Sequence, residues 1–246
     1  MKSPIIFDPY FRVELLAATP NPQQLIHRAL HQDYSADPVA DWNPNCTEQQ
    51  SGDVVVKRLL QGGRGHYGCC EAPSITVNAI GFPHSVMQQA RTHRVGISFD
   101  VQSFRYTSQS ILAVAHGKRD VESVFYARPA GVYTDRKGKK YEYTEHNRNT
   151  LLERYQDAAE YYAQQIALGL SEEHARSAIL FDVRQHFVVS FNLRSALHFM
   201  DLRAKADAQL EIQALCEHLW PVLKEWTPQV CEWYEKNRLG KAKLAP

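Results

Sequence analysis

The sequence mixes predicted strands and helices, which agrees with an α+β fold. Runs rich in β-branched and aromatic residues at 11–18, 74–82 and 186–191 are each followed by a segment with helical apolar spacing. The stretch 204–236 is rich in Leu and Trp and reads as helix. The phosphate cradle of a parallel nucleotide-binding sheet is unsupported. The GxGxxG at Gly63 to Gly68 follows a helix where that fingerprint needs a strand, and no GxxxxGK[ST] occurs.

The elements follow in order. FRVELLAA (11–18) is a strand ended by Thr19-Pro20-Asn21-Pro22, and QQLIHRALHQ carries Leu25, Ile26 and Leu30 on one helical face. The polar stretch 37–52 predicts a loop, and DVVVKRLLQ a short helix stopped by Gly62-Gly63. SITVNAIGF predicts a strand, after which Pro83 opens a helix carrying HSVMQQARTHR as far as Gly96. Two aromatic runs around a charged glycine turn, within 121–143, predict a hairpin excursion. A long amphipathic helix spans 145–168, closed by Gly169, and a short helix starts at Ser171. HFVVSF is a compact strand, 193–203 a helix, Pro221 a break or kink, and 240–246 a frayed tail.

Bulk properties limit the function. The 246 residues, 44% hydrophobic and 22% charged, suit one large domain or two small ones, with a sizeable core available. A net charge of +1 gives no global field toward nucleic acid or membrane, so an anion site must be local. Five cysteines without a repeated CxxC spacing fit neither a disulfide scaffold nor a zinc site, and a reducing cytoplasm is expected. The beginning MKSPIIFDPYFRVELL has polar and proline interruptions where a signal peptide needs an apolar run.

Local anion chemistry is concentrated in arginine-bearing segments. If the Pro83 helix reaches Arg94, then Gln88, Arg91 and Arg94 share roughly one face and His93 turns aside. If 98–106 is extended, Ser103 and Arg105 point to one side, a hydroxyl beside a guanidinium that suits phosphate. Asn192 and Arg194 lie at a strand end, and His198 follows Arg194 by one helical turn. Arg203 is rotated by roughly 140° from His198 and should address something else. Read singly, each has a plain alternative: solvent-facing charges, a helix cap at Asn192 or Ser195, a satisfied core histidine at His198. Cys69-Cys70 near His66 reads as buried cysteine, and no metal is expected.

RTHRVGISFDVQSFRY (91–106) resembles the signature of the flavin-dependent thymidylate synthases: RHR, seven residues, Ser, then Arg and an aromatic residue. Here Thr92 is inserted within the triplet, and eight residues separate Arg94 from Ser103. HYGCCE (66–71) resembles the family's upstream HxxxxE element. FNLRSALHFMDLRAKADAQLEIQ resembles its downstream NxRSxxxFxxLR block. The resemblance implies one domain over 1–246, a twisted, mainly antiparallel sheet with helices, and a homotetramer. It places Arg91, His93, Arg94, Val95, Asn192, Arg194, His198 and Gly68 at the FAD. It places Gln88, Arg91, Ser103, Phe104 (by its backbone), Arg105, Arg176 and Arg203 at dUMP, with residues from different subunits in one site. Val101 stands where relatives carry Glu or Gln.

The implied reaction methylates dUMP to dTMP, with 5,10-methylenetetrahydrofolate as carbon donor and NADPH-reduced FAD as hydride source. Arg203 activates the pyrimidine and no cysteine attacks it. Two other readings compete. A flavin and folate methyltransferase acting on uridine in RNA would favour a broad basic surface, which a net charge of +1 does not offer. A non-catalytic flavin or nucleotide-binding protein would use the same arginines only to hold phosphate.

Overall fold

The computed structural model describes residues 8–61, 66–135 and 137–241. The opening MKSPIIF, the Gly62-Gly63 stop, residues 63–65 of the glycine fingerprint and residues 242–246 of the tail lie outside these.

Strand β1 (Arg12–Ala18) leads through Asn21, held at a positive φ of 47°, into helix α1 (Pro22–Gln32), with proline in its first turn. Helix α2 (Glu48–Val55) begins inside the predicted loop, which is therefore shorter than 37–52. Thr47 and Gln50 explain the earlier start. The Gln50 amide N–H donates to the Thr47 hydroxyl at 3.2 Å, and the Thr47 N–H donates to the Gln50 side chain at 2.8 Å. A wider π turn (Val56–Leu60) continues it.

Strand β2 (Ser74–Pro83) alternates buried and half-buried residues and leads into helix α3 (His84–Ala90). That helix stops at Ala90, with Arg91 as its C-cap, so the predicted extension to Arg94 is wrong. Gln88 and Arg91 keep helical spacing; Arg94 does not share their face by helix geometry. Strand β3 (Ile97–Val101) is also shorter than predicted. The Tyr106 N–H donates to the Ser103 carbonyl at 3.0 Å, so 103–106 is a turn, and the strand alternation expected of Ser103 and Arg105 does not hold.

Helix α4 (Gln109–Ala115) was not foreseen. Strands β4 (Gly131–Thr134) and β5 (Lys140–Tyr143) form the predicted hairpin, antiparallel in register. Helix α5 (Glu145–Ala167) starts at a Thr144–Asn147 capping box and is followed by α6 (Glu172–Ala175). Strand β6 (Arg184–Asn192) and helix α7 (Leu193–Arg203) match expectation closely. Helix α8 (Leu210–Trp226) runs through Pro221 without a break; the chain breaks instead at Thr227, and Pro228 opens α9 (Pro228–Asn237). Proline removes one donor and disturbs one turn, which an apolar helix face buried along Leu215, Leu219 and Leu223 tolerates.

The strands pair in the order β1-β2-β6-β3. Thr19 meets Ser74 while Phe11 stacks on Phe82; Thr76 meets Ser190 while Gly81 meets His186; Gly96 meets Asn192 while Gln102 meets His186. In each pair one number rises as the other falls, so all three pairings are antiparallel.

The chain divides into two compact units. One comprises the described residues of 8–12, 80–91 and 100–187, the other those of 13–79, 92–99 and 188–241. In the first, α4 lies along α5 over a core that includes Ile111, Val114, Phe125, Tyr155 and Tyr162, all essentially without exposure. In the second, α1 packs on α2, and α9 on both α2 and α8. There the buried Gln23 side chain accepts from the Gln229 and Val230 amides at 3.1 and 3.2 Å, capping α9.

Candidate active site

The second unit gathers most of the flavin-assigned residues, and it does so at one turn. Residues 92–96 are drawn to the start of α7 by two bonds: the Asn192 N–H donates to the Gly96 carbonyl at 3.0 Å, and Ser195 Oγ donates to the Val95 carbonyl at 2.7 Å. Asn192 is the N-cap, its side-chain oxygen accepting from the Ser195 amide at 2.8 Å. The plain cap role is therefore real, and it also fixes the turn.

Gly96 allows this approach. Its φ is +65°, and a β-carbon there would overlap the Asn192 amide and Ser195 Oγ. Gly96→Ala is expected to destabilise the protein by about 1–3 kcal/mol and to lower flavin retention, both checked by melting and by visible absorbance after gel filtration.

His93 turns into the protein. It is 7% exposed, its ring lies 5.5 Å from that of His198 and 5.0 Å from that of Phe199, and its Nε2 accepts from Arg203 Nε at 2.9 Å. Arg203 Nη2 also donates to Thr92 Oγ1 at 2.9 Å. The rotation of Arg203 away from His198 thus leads it to His93, which touches both. With Nε2 accepting, the ring proton of His93 belongs on Nδ1.

Burial, and after it the charges of Arg203 and His198, lower the His93 pKa to about 4. The unfolded imidazole, near 6.5, takes up its proton first as pH falls. This group therefore subtracts stability progressively between about pH 6.5 and pH 4 and nothing above. A His93→Gln variant, whose amide can still accept from Arg203, is expected to lose stability less steeply over that window in thermal melts.

Arg194 extends from the first turn of α7 and pairs with Glu71 at 2.6 Å, both half exposed. Val95 is 80% exposed, Arg94 is exposed, and Gly68 has open space where a side chain would stand. The N-terminus of an eleven-residue helix, two arginines and two imidazoles form a donor set that fits the pyrophosphate and ring edges of a flavin dinucleotide.

The first unit holds the other assigned residues. Gln88, Arg91, Arg105 and Arg176 are exposed, and Ser103 is half-buried. Arg105 Nε pairs with Glu173 at 2.9 Å, and its guanidinium lies 5.5 Å from the Tyr106 ring. Phe104 packs its side chain on the α4 and α5 core, which leaves its backbone as the group able to reach a ligand. Gln88 Nε2 lies 2.8 Å from His84 Nε2, and His84 Nδ1 lies 2.6 Å from Gln185 Oε1. Thr92, Glu71, Glu173 and His84 were absent from the predicted site. The spacing of His84 and Gln88 at i and i+4 was a readable signal; the partners of Arg105, Arg194 and Arg203 depend on tertiary contacts.

Among the described residues no group of three or more His, Cys, Asp or Glu side chains could hold a metal ion, and no helix is long and apolar enough to cross a membrane.

Residues 14–229 match the family model described as thymidylate synthase complementing protein. A flavin-dependent thymidylate synthase of Halobacterium salinarum is 34% identical over 96% of this chain and all of its own length. One of Haloarcula marismortui is 31% identical over 95% of this chain and 99% of its own. A UMP/dUMP methylase of Streptomyces cacaoi, solved with 5-bromo-dUMP, superposes with a TM-score of 0.74 over 96% of this chain and 97% of its own, at 19% identity. At that identity it bears on the fold alone.

Proposed function

The chain belongs to the thymidylate synthase complementing protein family, the flavin-dependent thymidylate synthases, and from that premise we infer that it methylates dUMP to dTMP. Methylenetetrahydrofolate supplies the carbon. NADPH is the source of the reducing equivalents, and tetrahydrofolate and NADP⁺ are the co-products. Bound FAD supplies the hydride that converts a methylene into a methyl group. Arg94, Val95, Arg194, Asn192, His198 and the backbone at Gly68 would hold it, with His93 and Arg91.

The observation that carries the reading is the fixed guanidinium of Arg203, tied to the 92–96 turn at the end of the helix that starts with the flavin-assigned Asn192 and Arg194. C5 of uracil is a poor nucleophile, and negative charge gathers on the pyrimidine as it is activated. Arg203 stabilises that charge in place of a covalent thiolate. Cys216, the thiol whose charge would interact with Arg203, is no ready thiolate. Burial raises the Cys216 thiol even though Arg203 opposes it, and pushes Cys231 up to about 12.

For the nucleotide, Ser103, Arg105 and the Phe104 backbone bind the phosphate end, Glu173 leaving Arg105 as the dianion arrives. Arg176, Gln88 and Arg91 complete the set. We place these groups and Arg203 in sites shared between subunits of a cytoplasmic homotetramer, each chain acting as one functional domain.

The purified protein should be yellow. Tritium release from C5-labelled dUMP should require both methylenetetrahydrofolate and NADPH. Release from labelled tRNA in place of dUMP, or none from either, would sink the reading.

A further inference from the structure

We propose that Thr92, the residue inserted in this chain's RTHR segment, is a positioning residue that with His93 sets the plane of the Arg203 guanidinium. The inference rests on Arg203 acting on the pyrimidine.

Arg203 Nε donates to His93 Nε2 and its Nη2 to Thr92 Oγ1, both at 2.9 Å. Nε and Nη2 form one edge of the planar group, so two bonds on that edge fix both the direction and the rotation of the plane. Two adjacent residues supply the two acceptors, and the inserted one supplies the second.

The acceptors are neutral. His93 is uncharged above about pH 4, and a threonine hydroxyl carries no charge. A carboxylate on the same edge would orient Arg203 equally well, but it would cancel much of the field that the pyrimidine is meant to feel. This clamp orients the guanidinium and leaves its charge in force. The turn that bears Thr92 is itself anchored through Gly96 and Val95 to α7, the helix that ends in Arg203, so clamp and arginine belong to one closed piece of structure.

Thr92 is exposed, so its replacement opens no cavity. Thr92→Val keeps the shape and removes the hydroxyl; Thr92→Ser keeps the hydroxyl. With dUMP, methylenetetrahydrofolate and NADPH, T92V is expected to lower kcat by about tenfold while the KM for dUMP moves less, and T92S to stay within about threefold of the parent. Melting temperatures of both should match the parent. In an Arg203→Lys background, T92V should add little further loss, because lysine cannot use both acceptors of the clamp in one plane.

Turnover of T92V within twofold of the parent overturns the proposal, and so does a T92S as slow as T92V. Arg203→Ala is measured alongside. If it keeps full turnover, the role of Arg203 falls; if it is inactive while T92V is unimpaired, only the clamp falls.

Discussion

Arg203→Ala is expected to lower dTMP formation by about 10³-fold, with flavin retention largely preserved. Loss of one preorganised charge stabiliser in a partly dry site removes about 10²–10³ in turnover. Arg203 stands at the upper end because it is a full cation, fixed at two points and sheltered enough for burial to lower its pKa. Tritium release from C5 of dUMP checks the loss, and the visible spectrum checks the flavin. The titration of His93 gives a readout independent of activity. Its pKa of about 4 is set first by burial and second by the Arg203 charge, so in R203A it should rise but remain below the ordinary 6.5. An R203A protein with parental turnover, or with an unmoved His93 titration, would contradict the placement of this side chain.

The sequence made the framework legible where local signals and tertiary packing agree. Residues 193–203 have a strand before them, an asparagine cap and a clear apolar face, and the helix occupies those residues and no others. Prediction failed where a local device went unread or a long-range contact overruled the local pattern. Thr47 and Gln50 form a capping box that the polar stretch concealed. The helix from Pro83 had no breaker before Gly96, yet it ends at Ala90, and the following turn is held to α7 by hydrogen bonds to partners about a hundred residues away. The same contacts explain why the site was only half visible. The type and order of Arg91, His93 and Arg203 could be read, but nothing in the spacing marks Thr92, inserted within the triplet, as a partner of Arg203.

Asp8→Ala is expected to strand the buried Arg184 guanidinium, with a stability loss of about 3 kcal/mol or more. The Arg184 side chain is 5% exposed and that of Asp8 9%. Their bond is bidentate, Nη1 to Oδ1 at 3.0 Å and Nη2 to Oδ2 at 2.8 Å. Nη1 and Nε also donate to the carbonyls of Gly81 and Glu122, each at 2.8 Å, and the guanidinium lies 4.6 Å from the Tyr10 ring and 5.5 Å from those of Phe11 and Tyr126. One cation thus joins the residues before β1, the end of β2, the start of β6 and the turn before Phe125. Removing Asp8 leaves that cation in place with two carbonyls and three ring faces but no counter-charge, and the uncompensated burial dominates the effect. For a chain of this size the loss corresponds to a fall in melting temperature of about 10 °C. The sign of the second step separates this account from simple loss of packing. Adding Arg184→Met removes the stranded cation and keeps an apolar stem beside the rings, so the double variant should be more stable than Asp8→Ala alone. If Asp8→Ala melts within about 2 °C of the parent, the pair is not desolvated as the geometry implies; if the double variant is the less stable, the carbonyl and ring contacts of Arg184 outweigh its unpaired charge.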